Sequence, residues 1–138
     1  MIGLVVVSHS AKAAEGICEL AAQMGGDAPL EPAGGDAPLE AAGGDGDSND
    51  GIGTDAERIQ EGIETADEGE GVVVLVDLGS AVMNAELAIE MTEIDAEIAD
   101  APVLEGALNA AVEATNEKAT VDSVIEKAEE ARSYQKLS

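Results

Sequence analysis

Ile2-Gly3-Leu4-Val5-Val6-Val7-Ser8-His9-Ser10 is the stretch on which the fold turns. Five of the six residues from Ile2 to Val7 are apolar and three are valine, so the run does not alternate between a wet and a dry face. It reads as a strand buried on both sides, the habit of parallel sheets covered by helices. In open parallel sheets, chemistry gathers beyond the carboxyl ends of the strands, and His9, the single histidine, stands at such an end. Imidazole is both a nucleophile and a proton carrier near neutral pH. A lone histidine serves equally well as a cap or a core residue, so position alone leaves its role open.

Working outward from this strand, Ile17, Leu20, Ala21 and Met24 fall at the spacing of one helix face, which Gly25-Gly26 ends. A direct repeat comes next, Gly26-Asp27-Ala28-Pro29-Leu30-Glu31 recurring as Gly35-Asp36-Ala37-Pro38-Leu39-Glu40. Two copies are too few for a solenoid, so one copy is expected to form a weak edge strand and the other to lengthen a loop. Which copy is the strand stays open, although the second leads directly into the glycine-rich segment beyond it. That segment, Gly43 to Gly53, is mostly Gly, Asp, Ser and Asn and is expected to be a loop. Thr54 and Glu57 then have capping-box spacing, with Ala56, Ile59, Ile63 and Ala66 as the helix face behind them. Val72 to Val76 is a second apolar strand ending in Asp77-Leu78-Gly79-Ser80, and Met83, Leu87 and Met91 mark one side of a third helix. Ala101-Pro102-Val103-Leu104 reads as a further strand, Leu108, Ala111 and Val112 as a fourth helix, and Val121, Val124, Ile125 and Ala128 as a fifth. Strands alternating with helices predict an α/β fold with a parallel sheet.

The 138 residues suit one domain, with residues 25–50 as an acidic Gly/Ala/Pro-rich insertion around the second strand. No apolar stretch has membrane-spanning length, and the first run is too short and lacks the basic flank of a signal peptide, so a soluble, cytoplasmic protein is expected. Cys18, the one cysteine, reads as a small buried hydrophobe. Thirty acidic residues against six basic ones give a formal charge of −24, spread along the chain, which repels nucleic acid and anionic lipid. Such self-repulsion is screened in molar salt, where the Debye length is about 3 Å. Normal apolar content beside this charge suggests a folded protein from a high-salt cytoplasm.

Crossovers of the usual hand put all strand ends on one edge, where Ser8-His9-Ser10 and Asp77-Leu78-Gly79-Ser80 are expected to face each other. A carboxylate at Asp77 can accept a hydrogen bond from Nδ1–H of His9 and so leave Nε2 free to attack. Gly79 and Ser80 open a helix whose first N–H groups suit an anion such as phosphate, and the glycine loop ending at Thr54 can approach the same edge. Each signal also has a bland account, since Asp and Ser before a helix are usually caps. The loop has no Gly-Lys-Ser/Thr for a nucleotide, one histidine is too few for a metal site, and no Gly-x-Ser-x-Gly elbow is present. The surviving arrangement is a histidine nucleophile beside an anion hole, suited to carrying a phosphoryl group.

Four ordered motifs carry a resemblance: Val7-Ser8-His9-Ser10, Gly51-Ile52-Gly53-Thr54, Val74-Leu75-Val76-Asp77-Leu78-Gly79-Ser80-Ala81 and Ala101-Pro102-Val103-Leu104-Glu105-Gly106. Together they resemble the phosphotransfer subunits of phosphotransferase-system-dependent dihydroxyacetone kinases, of the mannose-type enzyme IIA family. The match covers essentially the whole chain except residues 25 to 50. It implies a three-layer α/β/α sandwich of four to five parallel strands with helices on both faces, and a homodimer. It further implies that His9 accepts phosphate from the phosphocarrier HPr and passes it to a DhaL subunit holding ADP, whose ATP phosphorylates dihydroxyacetone bound by DhaK. Asp77 would orient the ring, with Ser10, Gly79, Ser80, Gly53 and Thr54 around the phosphoryl group. No resident cofactor or metal is implied. Some relatives are fused to HPr-like and enzyme-I-like domains; this chain ends after the first module, so a separate donor is expected.

Two other functions compete. A mannose-type enzyme IIA of a sugar transporter would deliver phosphate to a permease component, although that branch usually carries a bulkier segment where Asp77-Leu78-Gly79-Ser80-Ala81 stands here. A non-catalytic regulatory domain could keep the same scaffold, and it forecasts no label on His9. For a carrier whose partners share its acidity, docking should rest on apolar area more than on charge steering. The association rate with HPr should therefore be nearly independent of salt between about one and three molar, where the Debye length is already near 3 Å. A steep fall, measured by stopped flow, would contradict this.

Overall fold

The structure is a computed structural model, and it describes residues 1–34 and 55–137. Four parallel strands, β1 (Gly3–Ser8), β2 (Leu30–Gly34), β3 (Val72–Val76) and β4 (Ala96–Ile98), form one sheet in the order β2-β1-β3-β4. The described helices are α1 (Ala11–Met24), α2 (Ala56–Ala66), α3 (Gly79–Glu90), α4 (Val103–Ala114) and α5 (Val121–Glu129), followed by a 3-10 turn at Glu130–Ser133. Every residue of β1 is buried, because the strand is central in the sheet and covered above and below. Leu4 and Val6 face α1, α4 and α5, whereas Val5 and Val7 face α2 and α3. This is the expected α/β sandwich with helices on both faces.

The strand order fixes where a site can form. From β1 the chain turns to one side of the sheet through α1, and from β3 it turns to the other side through α3 on the opposite face. The two helix starts diverge and open a crevice beyond the carboxyl ends of β1 and β3. His9 is the first residue after Ser8, which closes β1, and Asp77 is the first after Val76, which closes β3.

Several expectations are corrected. The first repeat copy, not the second, enters the sheet: Leu30 and Glu31 begin β2, an edge strand that tolerates Pro32 because one side of it needs no donor. The second copy and the glycine loop lie outside the described residues. Ala101 to Leu104 is not a strand; Pro102 stands at the entrance of α4, where its missing N–H costs nothing, and Val103 and Leu104 are in its first turn. The strand is Ala96–Ile98, three residues long and too brief to show a period. The N-cap of α2 is Asp55, whose carboxylate accepts from the N–H of Glu57; Thr54, expected to cap this helix, lies outside the described residues.

The helix faces also differ in a systematic way. On α3 the buried residues are Ala81, Ala85 and Ala88, while Met83, Leu87 and Met91 are exposed, Met83 to 77%. On α1 the buried positions are Ala14 and Ala21, with Ile17 and Cys18 partly covered and Leu20 and Met24 exposed. Val112 of α4 is exposed as well. Alanine stripes win because the helices sit very close to their neighbours. A Cβ on Gly25, at the end of α1, would collide with the backbone carbonyl of Ala111, and one on Gly3 with that of Ala66. Half-buried Cys18 has a thiol pushed up to about 11, chiefly by burial and then by Glu31 and Glu15, so it stays protonated. Among the described residues no helix is long and apolar enough to cross a membrane.

Because backbone rather than a mobile side chain meets the added methyl, Gly25→Ala should destabilise the fold by about 2 kcal/mol, within the range of overpacked cores. A urea midpoint equal to that of the parent protein would show that α1 and α4 can part at no cost.

Candidate functional site

Parallel pairing sets Val7 opposite Val76, and the ladder extends one step further, the N–H of Asp77 donating to the carbonyl of Val7 at 3.1 Å. That bond ties the Asp77 backbone to the end of β1. Its side chain then meets three donors. Oδ1 lies 3.0 Å from Nδ1 of His9, and Oδ2 accepts from the backbone N–H of His9 and from the hydroxyl of Ser8, each at 3.0 Å. On the far side of the ring, Oγ of Ser80 lies 2.9 Å from Nε2.

The acceptors determine where the protons sit. An ionised carboxylate can only accept, so Nδ1 carries the hydrogen and Nε2 of the neutral ring presents its lone pair, to which Ser80 donates. Burial alone would raise the Asp77 pKa, but the His9 N–H, the His9 ring and the Ser8 hydroxyl together hold it below the ordinary carboxylate value. The side chains of His9 and Asp77 are about one-fifth exposed (19% and 21%), enough for a reacting partner to reach Nε2.

Helix starts complete the setting. Ser10 caps α1, its hydroxyl accepting from the N–H of Ala13, so that oxygen is committed to the helix while its own N–H donates to Oγ of Ser8. Leu78 precedes α3 without a side-chain cap, and the first-turn N–H groups of Gly79 and Ser80 have no partner within their own helix. They lie beside Nε2 through Ser80, as an anion would require. A cleft of about 400 Å³ at the ends of β3 and β4 is lined by Asp77 and Gly79 but not by His9 or Ser80. It carries Glu86 and Asp100, whose charges oppose a phosphate, so the Ser80 side of the ring is the better anion site.

Of the residues singled out in the sequence, His9, Asp77 and Ser80 come together with Gly79 at the same helix start, and Ser10 adjoins them as a cap. Gly53 and Thr54 lie outside the described residues. Ser8 is not among those candidates, yet it is buried and bonded to Asp77. Its place at the closing position of an apolar strand is the available signal.

A family model described as the fructose IIA component of the phosphotransferase system, mannose-type enzyme IIA, matches residues 3–125. Phosphoryl donor subunits DhaM of phosphoenolpyruvate-dependent dihydroxyacetone kinases are similar to this chain. The Providencia stuartii protein is 36% identical over 95% of the chain, and the Escherichia coli protein 38% over 91%. The chain spans only 27% and 26% of those two relatives. One from Listeria innocua, 36% identical over 82% of the chain, is matched over 86% of its own length. The crystal structure of a protein of unknown function, EF1359, superposes with a TM-score of 0.68 at 29% identity, covering 95% of this chain and 96% of the other.

The pH dependence of the Asp77 contribution is set by its lowered value. Its stabilisation is fully present above the unfolded pKa of about 3.9 and is lost as the pH falls through the lower folded value. The difference in unfolding free energy between the parent protein and Asp77→Asn should therefore be constant above about pH 4 and shrink only below it. A difference that changes between pH 5 and 7 would assign it to another group. By its matched family model and by the relatives that it resembles, the chain belongs to the mannose-type enzyme IIA family of the phosphotransferase system.

Proposed function

We propose that this protein is a phosphohistidine carrier that serves as the phosphoryl donor subunit of a dihydroxyacetone kinase, receiving phosphate from HPr and passing it to ADP held by a DhaL subunit. The observation that carries this is the ring of His9 fixed between two groups, Asp77 Oδ1 on Nδ1 and Ser80 Oγ on Nε2. In the accepting step the Nε2 lone pair attacks the phosphorus of the donor's phosphohistidine. The new N–P bond forms as the donor's N–P bond breaks, and the donor imidazole leaves with the electron pair. No proton has to move, because the hydrogen stays on Nδ1, donated to the Asp77 carboxylate.

On bonding phosphorus the neutral imidazole becomes cationic, and the carboxylate 3.0 Å from Nδ1 stabilises the charge as it develops. The Ser80 hydroxyl, displaced from Nε2, turns to a phosphoryl oxygen, with the first N–H groups of α3 beside it. Onward transfer reverses the step: a terminal oxygen of ADP attacks phosphorus, the bond to Nε2 breaks, and ATP forms. The resulting ATP serves the DhaK subunit, where dihydroxyacetone is bound.

The exposed ridge of Met83, Leu87 and Met91, running along α3 from the turn that holds Ser80, supports docking through apolar area. A homodimer belongs to the same proposal, and sedimentation at micromolar concentration checks it: a monomer there would remove that part alone.

Incubation with enzyme I, HPr and labelled phosphoenolpyruvate should place an acid-labile, base-stable label on the protein, reduced to background in His9→Ala. Adding DhaL with ADP should move the label into ATP. No label on the parent protein would refute a carrier role; label without ATP would redirect the acceptor to a sugar permease component.

A further inference from the structure

We infer that Ser8 is a positioning residue for phosphoryl transfer, its buried hydroxyl holding the Asp77 carboxylate in the orientation that keeps Oδ1 for the imidazole of His9. The inference rests on the reading of His9 as the phosphoryl carrier. Ser8 is 2% exposed and is the one polar residue in the buried set among the described residues. A hydroxyl brought into an apolar strand costs stability unless it is bonded, and this one is bonded twice. It donates to Asp77 Oδ2 at 3.0 Å and accepts from the N–H of Ser10 at 3.0 Å.

The geometry separates the two carboxylate oxygens by task. Oδ2 takes the Ser8 hydroxyl and the His9 backbone N–H, and Oδ1 is left for Nδ1. Remove the hydroxyl and Oδ2 keeps a single donor, so the carboxylate is free to turn toward a geometry in which both oxygens share the remaining donors. The ring then loses the fixed partner that selects its Nδ1–H tautomer, and the population with a lone pair on Nε2 falls. The acceptor for Ser10 N–H, at the entrance of α1, is lost as well. One side chain thus couples the end of β1, the carboxylate after β3 and the start of α1. A purely structural role would affect folding but leave the tautomer as it is.

The test compares Ser8→Ala, Ser8→Cys and Ser8→Thr in the full chain. At saturating phosphorylated HPr, Ser8→Ala should slow label transfer to His9 about tenfold, the equivalent of one hydrogen bond to a charged group. Ser8→Cys fills the same space with a weak donor and should fall between, while Ser8→Thr should restore the rate. The His9 tautomer, read from ¹⁵N ring shifts without any donor, should become mixed in Ser8→Ala and Ser8→Cys and return in Ser8→Thr. A parent-like tautomer in folded Ser8→Cys overturns the proposal, whatever happens to the rate. If the parent protein takes no label, the carrier reading fails, whereas the ¹⁵N comparison still decides whether Ser8 sets the ring.

Discussion

Everything at the site depends on the register between β1 and β3. With Val7 opposite Val76, the residues just past each strand fall within hydrogen-bond reach, and the Asp77 N–H closes the last rung on Val7. A slip of one residue would move Asp77 by about 3.3 Å and would also send every side chain of the strand to the other face. The core forbids that slip. Leu4 and Val6 are matched to one helix layer, and Val5 and Val7 to the other, so the hydrophobic packing of a central strand sets the position of the His9–Asp77 contact.

The same constraint explains which parts are legible in the sequence. Unbroken apolar runs such as Val72 to Val76 announce strands buried on both faces, and their ends announce the edge where His9, Asp77 and Ser80 meet, although position alone does not give their roles. Helix faces are misread where size is taken as a sign of burial. Met83, Leu87 and Met91 have a proper helical spacing, but so do Ala81, Ala85 and Ala88, and only the smaller set fits a helix packed this tightly. The distance between layers, which Gly3 and Gly25 reveal by the backbone atoms beside them, is a tertiary quantity that no periodicity contains.

Local chemistry explains the remaining differences. Thr and Asp side chains both cap helices, and at the start of α2 it is Asp55 that holds the N–H of Glu57. Pro102 argues for an extended segment, yet proline is equally at home at a helix entrance. Ser8 is a subtler case. In the sequence it is a small polar residue at the end of a strand, and its bond emerges only when the partner it shares with His9, from 69 residues away, is in place.

The charge of the chain and the chemistry of the site operate over different distances. A net −24 repels a phosphoryl group at long range, but ions screen that field within about 8 to 10 Å at physiological salt. The groups that would receive a phosphoryl in the proposed carrier role act at contact: a lone pair on Nε2, a hydroxyl 2.9 Å from it, and helix N–H groups without partners in their own helix. Among the described residues, the carboxylate that touches the ring is placed on Nδ1, on the side away from Nε2, where its charge would favour a cationic phosphoimidazole in the proposed role and stand away from the phosphoryl oxygens. Acidity and the proposed phosphoryl chemistry are therefore compatible, provided that the negative charge touching the histidine is confined to the Nδ1 side.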